Sequence, residues 1–264
     1  MRGVAMFGEG KVAIVTGVGP GMGRSIALGL ARHGVEVALA ARRAERLEAV
    51  AGDVRALGRA PLTVPTDITD RAACHDLVAR TVERFGGVDF CVQNGHHEGD
   101  WTPVVDADPE SWRAVFDVNL FGALHLVQAA VPEMRARGGG AVVLVNSGAA
   151  LRNPVSMGAY STSKAAVANL ARTLALEVGQ WNIRVNGVFL GPVLGENLAR
   201  QGSRAAAAAG VTVEEWLTGK ATEMPLGVIP TPDQCAGTVL FLCSDPAEVV
   251  TGQHISVNGG QWIT

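Results

Sequence analysis

Tyr160 and Lys164 stand four residues apart in the run Tyr160-Ser161-Thr162-Ser163-Lys164, which opens the amphipathic stretch KAAVANLARTLALEV. Residues four apart share one face of a helix, so this spacing brings a phenol and an ammonium to one place. A phenol ordinarily titrates near about 10. A cation beside it stabilises the phenolate and is expected to lower that value. Tyr160 is then a group able to donate or accept a proton near neutral pH. The pairing stands out because Tyr160 is the sole tyrosine and Lys164 is one of three lysines, with Lys11 and Lys220. Ser147 lies thirteen residues before Tyr160, just past the apolar run AVVLVN. Its hydroxyl could meet a carbonyl oxygen and stabilise a developing alkoxide, or simply cap its loop.

A second cluster, Thr16-Gly17-Val18-Gly19-Pro20-Gly21-Met22-Gly23, joins an apolar run to a helix-like stretch. Glycines there permit a tight turn and let the backbone approach a pyrophosphate, whose charge the following helix N-terminus stabilises. The alternative is a turn that serves strand–helix packing alone. The second apolar run ends in Ala40-Ala41-Arg42-Arg43. Sites that prefer NAD usually carry an acid there for the ribose 2′-hydroxyl. Arg42 and Arg43 instead suit the 2′-phosphate of NADP, although they could equally begin a solvated helix. NADP(H) is therefore favoured as the carrier, with NAD(H) as the alternative. Asp67 can meet an adenine edge or cap a helix beginning at Ile68.

These groups need a scaffold, and the apolar patterning supplies one. Runs at 12–16, 35–40, 61–65, 88–94, 141–146, 183–190 and 254–258 alternate with helix-length amphipathic stretches. Near-continuous apolar strands separated by helices imply a parallel sheet covered on both faces. Right-handed crossovers make it a doubly wound, Rossmann-type α/β fold, here with seven strands in a single domain over 11–264. Asp108 before Pro109, Thr212 with Glu215, and Thr231 with Gln234 mark helix starts. Residues 1–10 are expected to form a poorly ordered extension. Segment 193–220, with its alanine run, is either a movable substrate lid or an ordinary surface helix.

Composition narrows the function classes. The 264 residues are 48% hydrophobic and 18% charged with net charge −3, which suits a packed core and offers no basic field for nucleic acid. The apolar runs are too short to span a bilayer, and the N-terminus lacks the apolar core of a signal peptide. Cys74, Cys91, Cys235 and Cys243 show no metal or disulfide spacing, so reduced thiols in the cytoplasm are expected. His96 and His97 follow the fourth run and could line a substrate pocket or remain solvated loop residues; a metal role is not expected. Residues 149–159 and 193–220 are mostly small and apolar, with Arg152, Arg200 and Arg204 interspersed. They suggest a largely apolar small-molecule ketone or alcohol, with room for an acidic group.

Taken together, the residues resemble the short-chain dehydrogenase/reductase family, and its ketoreductase-like members in particular, over 11–260. The motifs are T-G-x-x-x-G-x-G at 16–23, Asp67, V-N-L-x-G at 118–122, Ser147, the Y-x-x-x-K pair and V-T-G-Q near the end. The resemblance implies an oxidoreductase that interconverts a secondary alcohol and a ketone, with a hydride passing to or from a nicotinamide cofactor. It implies a tetrad: Tyr160 as acid/base, Ser147 orienting the carbonyl, Lys164 holding the nicotinamide ribose and tuning Tyr160, and Asn119 supporting a relay water. Cofactor contacts are implied for Gly17, Gly19, Pro20, Gly21, Met22, Gly23, Arg42, Arg43, Asp67, Ile68, Asn94, Gly95, Tyr160, Lys164, Gly191, Pro192 and Val193. A homotetramer is implied as well, and Trp262-Ile263 would suit its interface. Three places depart from the family pattern. Gln93-Asn94-Gly95-His96 replaces N-N-A-G, Leu190-Gly191-Pro192 replaces P-G, and Val257-Asn258-Gly259-Gly260 replaces V-D-G-G. None touches the tetrad. The rivals are an epimerase or dehydratase with bound cofactor, and a nucleotide-binding sensor without catalysis.

Overall fold

The computed structural model describes residues 6–263. Seven strands run in chain order as β1 (Val12–Thr16), β2 (Glu36–Ala41), β3 (Leu62–Pro65), β4 (Phe90–Gln93), β5 (Gly140–Ser147), β6 (Ile183–Leu190) and β7 (His254–Val257). They form one sheet of order β3-β2-β1-β4-β5-β6-β7, and every neighbouring pair is parallel. The order reverses between β1 and β4. That switch point is where such sheets open a crevice at their carboxyl ends. The helices are α1 (Met22–Arg32), α2 (Ala44–Ala56), α3 (Arg71–Phe85), α4 (Pro109–Phe116), α5 (Gly122–Ala136), α6 (Ala149–Arg152), α7 (Gly158–Val178), α8 (Glu196–Ala209), α9 (Val213–Thr222) and α10 (Pro232–Cys243).

Successive strand side chains point to opposite faces, so each strand feeds two cores. Ala13 and Val15 join Val143 and Val145 under α1, α2 and α10, with Ile26, Leu47 and Val239. Ile14 joins Val142 and Leu144 under α3, α5 and α7, with Leu77, Leu126 and Val167. Burying both faces is what the near-continuous apolar strands require. A third, small cluster of Leu198, Met224 and Ile229 lies beneath α8 and α9. Each such side chain contributes only about 1.5–3 kcal/mol when buried, so this pair of helices is held far less tightly than the sheet.

The caps read from sequence are present. Asp108 accepts from the Glu110 N–H with Pro109 in the first turn, and capping boxes form at Thr212/Glu215 and Thr231/Gln234. Asp67 differs from its expected capping role. It accepts from the N–H and hydroxyl of Thr69 in a tight turn, while α3 starts later and is capped by Asp70. A short side chain that closes its own turn is thereby spent locally, and the next carboxylate takes the helix.

The expected loose N-terminal extension also needs correcting. Residues 1–5 lie outside the described residues, but Phe7 is buried, with its ring 5.5 Å from Phe90 and 5.8 Å from His33. A buried aromatic side chain packed at the start of β4 anchors the chain around it. One described helical rod, α4 through α5 (Pro109–Ala136), is long and apolar enough by length and composition to cross a membrane. It packs against α3 and α7 instead, so its apolar face is a core face. Midway it loosens into a π-helical turn, Asp117–Phe121, which carries the buried Asn119.

Candidate active site

A cleft of about 1290 Å³ runs along the carboxyl edge of the sheet. That exceeds the roughly 300–1,000 Å³ of a drug-sized site and leaves room for an extended ligand beside a smaller one. Every implied cofactor residue lines it, as do Ser147, Tyr160 and Lys164; Asn119 does not.

The glycine loop forms the floor. Gly17 has φ +65°, and a Cβ there would fall 2.4 Å from the Gly95 backbone nitrogen. At Gly23 it would fall 2.5 Å from the Gly17 carbonyl oxygen. The β1–α1 and β4 loops therefore cross backbone to backbone, pinned by Asn94 Nδ2 donating to the Gly17 carbonyl at 2.9 Å. The N-terminus of α1 opens beside them with no side-chain cap and no acid in its first turn. Bare N–H groups with a positive helix end fit a pyrophosphate. At the far end, Arg42 and Arg43 line the cleft without a carboxylate partner among the described residues, and Arg43 precedes α2. Arg46, not anticipated from sequence, joins them one turn later and reaches Glu196 of α8 at 3.6 Å. Its only signal was a place one turn into the helix that follows Arg42 and Arg43, and the sequence does not disclose that helix's orientation.

The catalytic end is built from β5 and α7. Ser147 closes β5 and its oxygen accepts from the Ala149 N–H at 3.2 Å, with the hydroxyl near enough to the Tyr160 phenol to favour its ionised form. Lys164 is buried, donates to the Val145 carbonyl at 3.2 Å, and sits 5.7 Å from the centre of the Tyr160 ring. The spacing in sequence thus delivers the predicted neighbourhood, but the expected fall in the Tyr160 pKa does not follow. Burial pushes the phenol up to about 12 against the opposing Ser147 hydroxyl, with the Glu98 charge adding to the rise. Burial likewise draws Lys164 down to about 8. Desolvation of both charged forms outweighs their mutual help.

Asn119 acts through the scaffold. Its amide donates to the His97 carbonyl and to Ser163 Oγ, and its oxygen accepts from the His97 N–H at 2.8 Å. Ser163 in turn donates to the Tyr160 carbonyl. A buried, fully satisfied amide therefore ties the β4 loop to the helix that carries Tyr160.

The whole chain can now be set beside known proteins. The family model described as short chain dehydrogenase matches residues 11–206. The chain belongs to the short-chain dehydrogenase/reductase family. It is 34% identical to an L-rhamnose 1-dehydrogenase (NAD(P)(+)) of Sphingomonas sp. over 97% of both chains. It is 32% identical to the 7alpha-hydroxysteroid dehydrogenase of Escherichia coli over 96% of this chain and 94% of that one. In structure it is similar to the L-sorbose reductase of Gluconobacter frateurii complexed with NADPH and L-sorbose, with TM-score 0.93, 31% identity and coverage of 99% and 100%. It is also similar to an NAD⁺-bound xylitol dehydrogenase, with TM-score 0.89, 30% identity and coverage of 96% and 99%. This short-chain dehydrogenase/reductase is accordingly an oxidoreductase of hydroxyl or keto substrates that uses a nicotinamide cofactor.

The substrate end of the dehydrogenase is more polar than its sequence suggested. His96 lies with its ring 6.5 Å from that of Tyr160, and its Nε2 meets Asn197 Nδ2 of α8 at 3.2 Å. Crowding by the walls, then the Lys164 charge, holds His96 below the ordinary imidazole value; 36% of its side chain stays open toward the cleft, which limits the shift. Arg152, Arg200 and Arg204 all line the cleft as anticipated, with Lys220 and Glu223 beside them. Sequence reasoning weighed segments 149–159 and 193–220, and also the loop after β4, where Glu98, Asp100 and Trp101 follow His96 and His97; all five line the cleft.

Trp262, expected to suit an intersubunit face, packs against loops of its own chain. A Cβ on Gly148 would lie 1.9 Å from Trp262 Cζ2, and one on Gly191 would lie 3.3 Å from its Cη2. The indole thus forms a wall across the loops that follow β5 and β6, and only Ile263 remains exposed. Gly148 adjoins Ser147 and has an ordinary φ of −60°, so alanine there meets sterics alone. Gly148→Ala is expected to cost about 1–3 kcal/mol of stability and to cut kcat/KM at least roughly tenfold, since small misplacements at a reacting centre are expensive. Wild-type kinetics in that variant would show that the Trp262 wall does not set Ser147.

Proposed function

We propose that the protein interconverts a secondary alcohol and a ketone with Tyr160 as acid/base, and that it prefers NADP(H) over NAD(H). The carrying observation is the phenol of Tyr160, sharing the cleft at the carboxyl end of β5 with Ser147 and backed by the buried Lys164. A bound nicotinamide supplies or accepts the hydride. The chain orients the reactants and manages the proton. Ser147 holds the carbonyl oxygen, Tyr160 gives that oxygen its proton in reduction and takes it back in oxidation, and Lys164 supplies the nearby cation. Asn119 positions α7 and the β4 loop rather than touching the reactants. The α8–α9 pair serves as a lid, with its small core and its ties from Glu196, Asn197 and Arg200 to the body of the protein. A homotetramer suits the exposed apolar side chains of Phe121, Leu176, Val249 and Ile263.

The preference for NADP(H) is supported by two guanidinium groups, Arg42 and Arg43, without a carboxylate partner among the described residues, at the end of β2, where Ala41 stands in place of an acid. A charge-assisted contact to phosphate contributes about 1.5–3 kcal/mol. Oxidation of NADPH and NADH should therefore be followed in parallel with a panel of ketones. NADPH is expected to be favoured, and the NADPH/NADH ratio of kcat/KM should fall roughly tenfold or more for each arginine changed to alanine. A ratio indifferent to both arginines would remove that assignment and leave the reaction class standing. Tight cofactor binding without net cofactor turnover would instead favour an epimerase, a dehydratase or a sensor.

A further inference from the structure

We propose that the substrate is polyhydroxylated, a sugar or polyol, and that Glu98 accepts hydrogen bonds from the hydroxyl groups next to its reacting carbon. This rests on Tyr160 as the acid/base, which fixes where the reacting carbon lies. Glu98 lies in the cleft with its side chain 22% exposed. Its carboxylate is flanked by Arg200 Nη2 at 3.9 Å and His96 Nε2 at 4.0 Å. Both distances are too long for hydrogen bonds. Among the described residues no donor meets either oxygen, so the acceptor capacity of a whole carboxylate is unspent in the cleft, beside the His96 ring that neighbours Tyr160.

Proton chemistry does not account for this group. A negative charge near Tyr160 opposes the phenolate and so works against alcohol oxidation. An apolar substrate would cover the carboxylate without supplying donors, which is costly. A cationic substrate would meet Arg200, whose charge already balances Glu98, and Lys164 behind Tyr160. Neutral donors remain, and two neighbouring hydroxyls match the two oxygens of one carboxylate. Arg200 holds the carboxylate in place from the lid and is itself fixed by donating to Asn197 Oδ1 at 2.8 Å. Asn197 completes the ring by meeting His96. Substrate hydroxyls would thus be read where the lid meets the body of the protein.

The test uses the full chain with either nicotinamide cofactor. It compares kcat/KM for four- to six-carbon ketoses and polyols with that for simple ketones and alcohols of equal chain length. A site built to hydrogen-bond a hydroxyl rejects the analogue lacking it, so the wild type should favour polyols by roughly 100-fold or more. In Glu98→Leu that ratio should collapse at least roughly tenfold, mainly through KM, with Glu98→Gln between the two because it keeps one acceptor oxygen. Glu98→Gln alone decides the matter if the leucine variant does not fold. Preference for the simple substrates, absence of turnover with every polyol and ketose, or a ratio unchanged by the substitutions would overturn the proposal. Tyr160→Phe should silence both substrate classes alike. If it does not, the acid/base assignment fails while the ratio still tests Glu98.

Discussion

Tyr160→Phe is expected to lower turnover by roughly 10²–10⁴-fold in both directions while dinucleotide affinity stays close to wild type. The two measurements are steady-state rates and a fluorescence titration with the reduced cofactor. Phenylalanine keeps the ring that packs beside His96 and Lys164, and Ser147 keeps its bond from the Ala149 N–H. The loss is then of one proton carrier and not of the site. The pH dependence follows from the raised phenol. With its pKa pushed up to about 12, Tyr160 is protonated throughout the neutral range, and the acid for carbonyl reduction is ready. Alcohol oxidation needs the phenolate, whose fraction grows roughly tenfold per unit below the pKa. Oxidation should therefore climb with pH while reduction stays flat, until Lys164 sheds its charge as pH rises through about 8. A Tyr160→Phe enzyme that keeps wild-type rates, or a wild type whose oxidation falls as pH rises through the neutral range below about 8, where Lys164 still holds its charge, would sink this assignment.

That pKa is also where sequence reasoning ran short. The interval between Tyr160 and Lys164 gave their shared face, because helical periodicity converts spacing into position. It could not give depth, and depth set the sign, since covering both groups costs more than their proximity returns. The seven strands were legible for a related reason. Buried parallel strands read as unbroken apolar runs, and each run from Val12–Thr16 to His254–Val257 fell within two residues of a strand. The packing of Trp262 was not legible because an apolar terminal residue looks the same whether it meets a partner or folds back onto Gly148. Glu98 could be placed in a possible pocket-lining loop, but its role had no local pattern. Its meaning comes from Arg200, 102 positions away on α8, and no periodicity spans that distance.

Gly17→Ala is expected to destabilise the protein by about 2–5 kcal/mol and to abolish measurable dinucleotide binding. Two costs add. A non-glycine residue held at φ +65° is strained by about 1–3 kcal/mol. The new Cβ would also stand 2.4 Å from the Gly95 nitrogen and 2.6 Å from its Cα, and backbone cannot swing aside as a side chain would. Relief requires the β1–α1 and β4 loops to part. That motion breaks the bond from Asn94 Nδ2 to the Gly17 carbonyl and lifts the cleft floor away from the ligand. Gly34→Ala separates the two costs. It has φ +85° with nothing within 4 Å of the added carbon, and it lies at the opposite end of α1 from the cleft. It should lower the melting temperature by only a few degrees, roughly 2–4 °C per kcal/mol in a chain of this size, with cofactor affinity as in wild type. If Gly17→Ala behaved like Gly34→Ala in both melting and titration, the crossing of the two loops would not be what shapes the dinucleotide site. If it melted lower yet bound cofactor normally, the crossing would be structural alone, and the pyrophosphate would have to rest on the N-terminus of α1 without it.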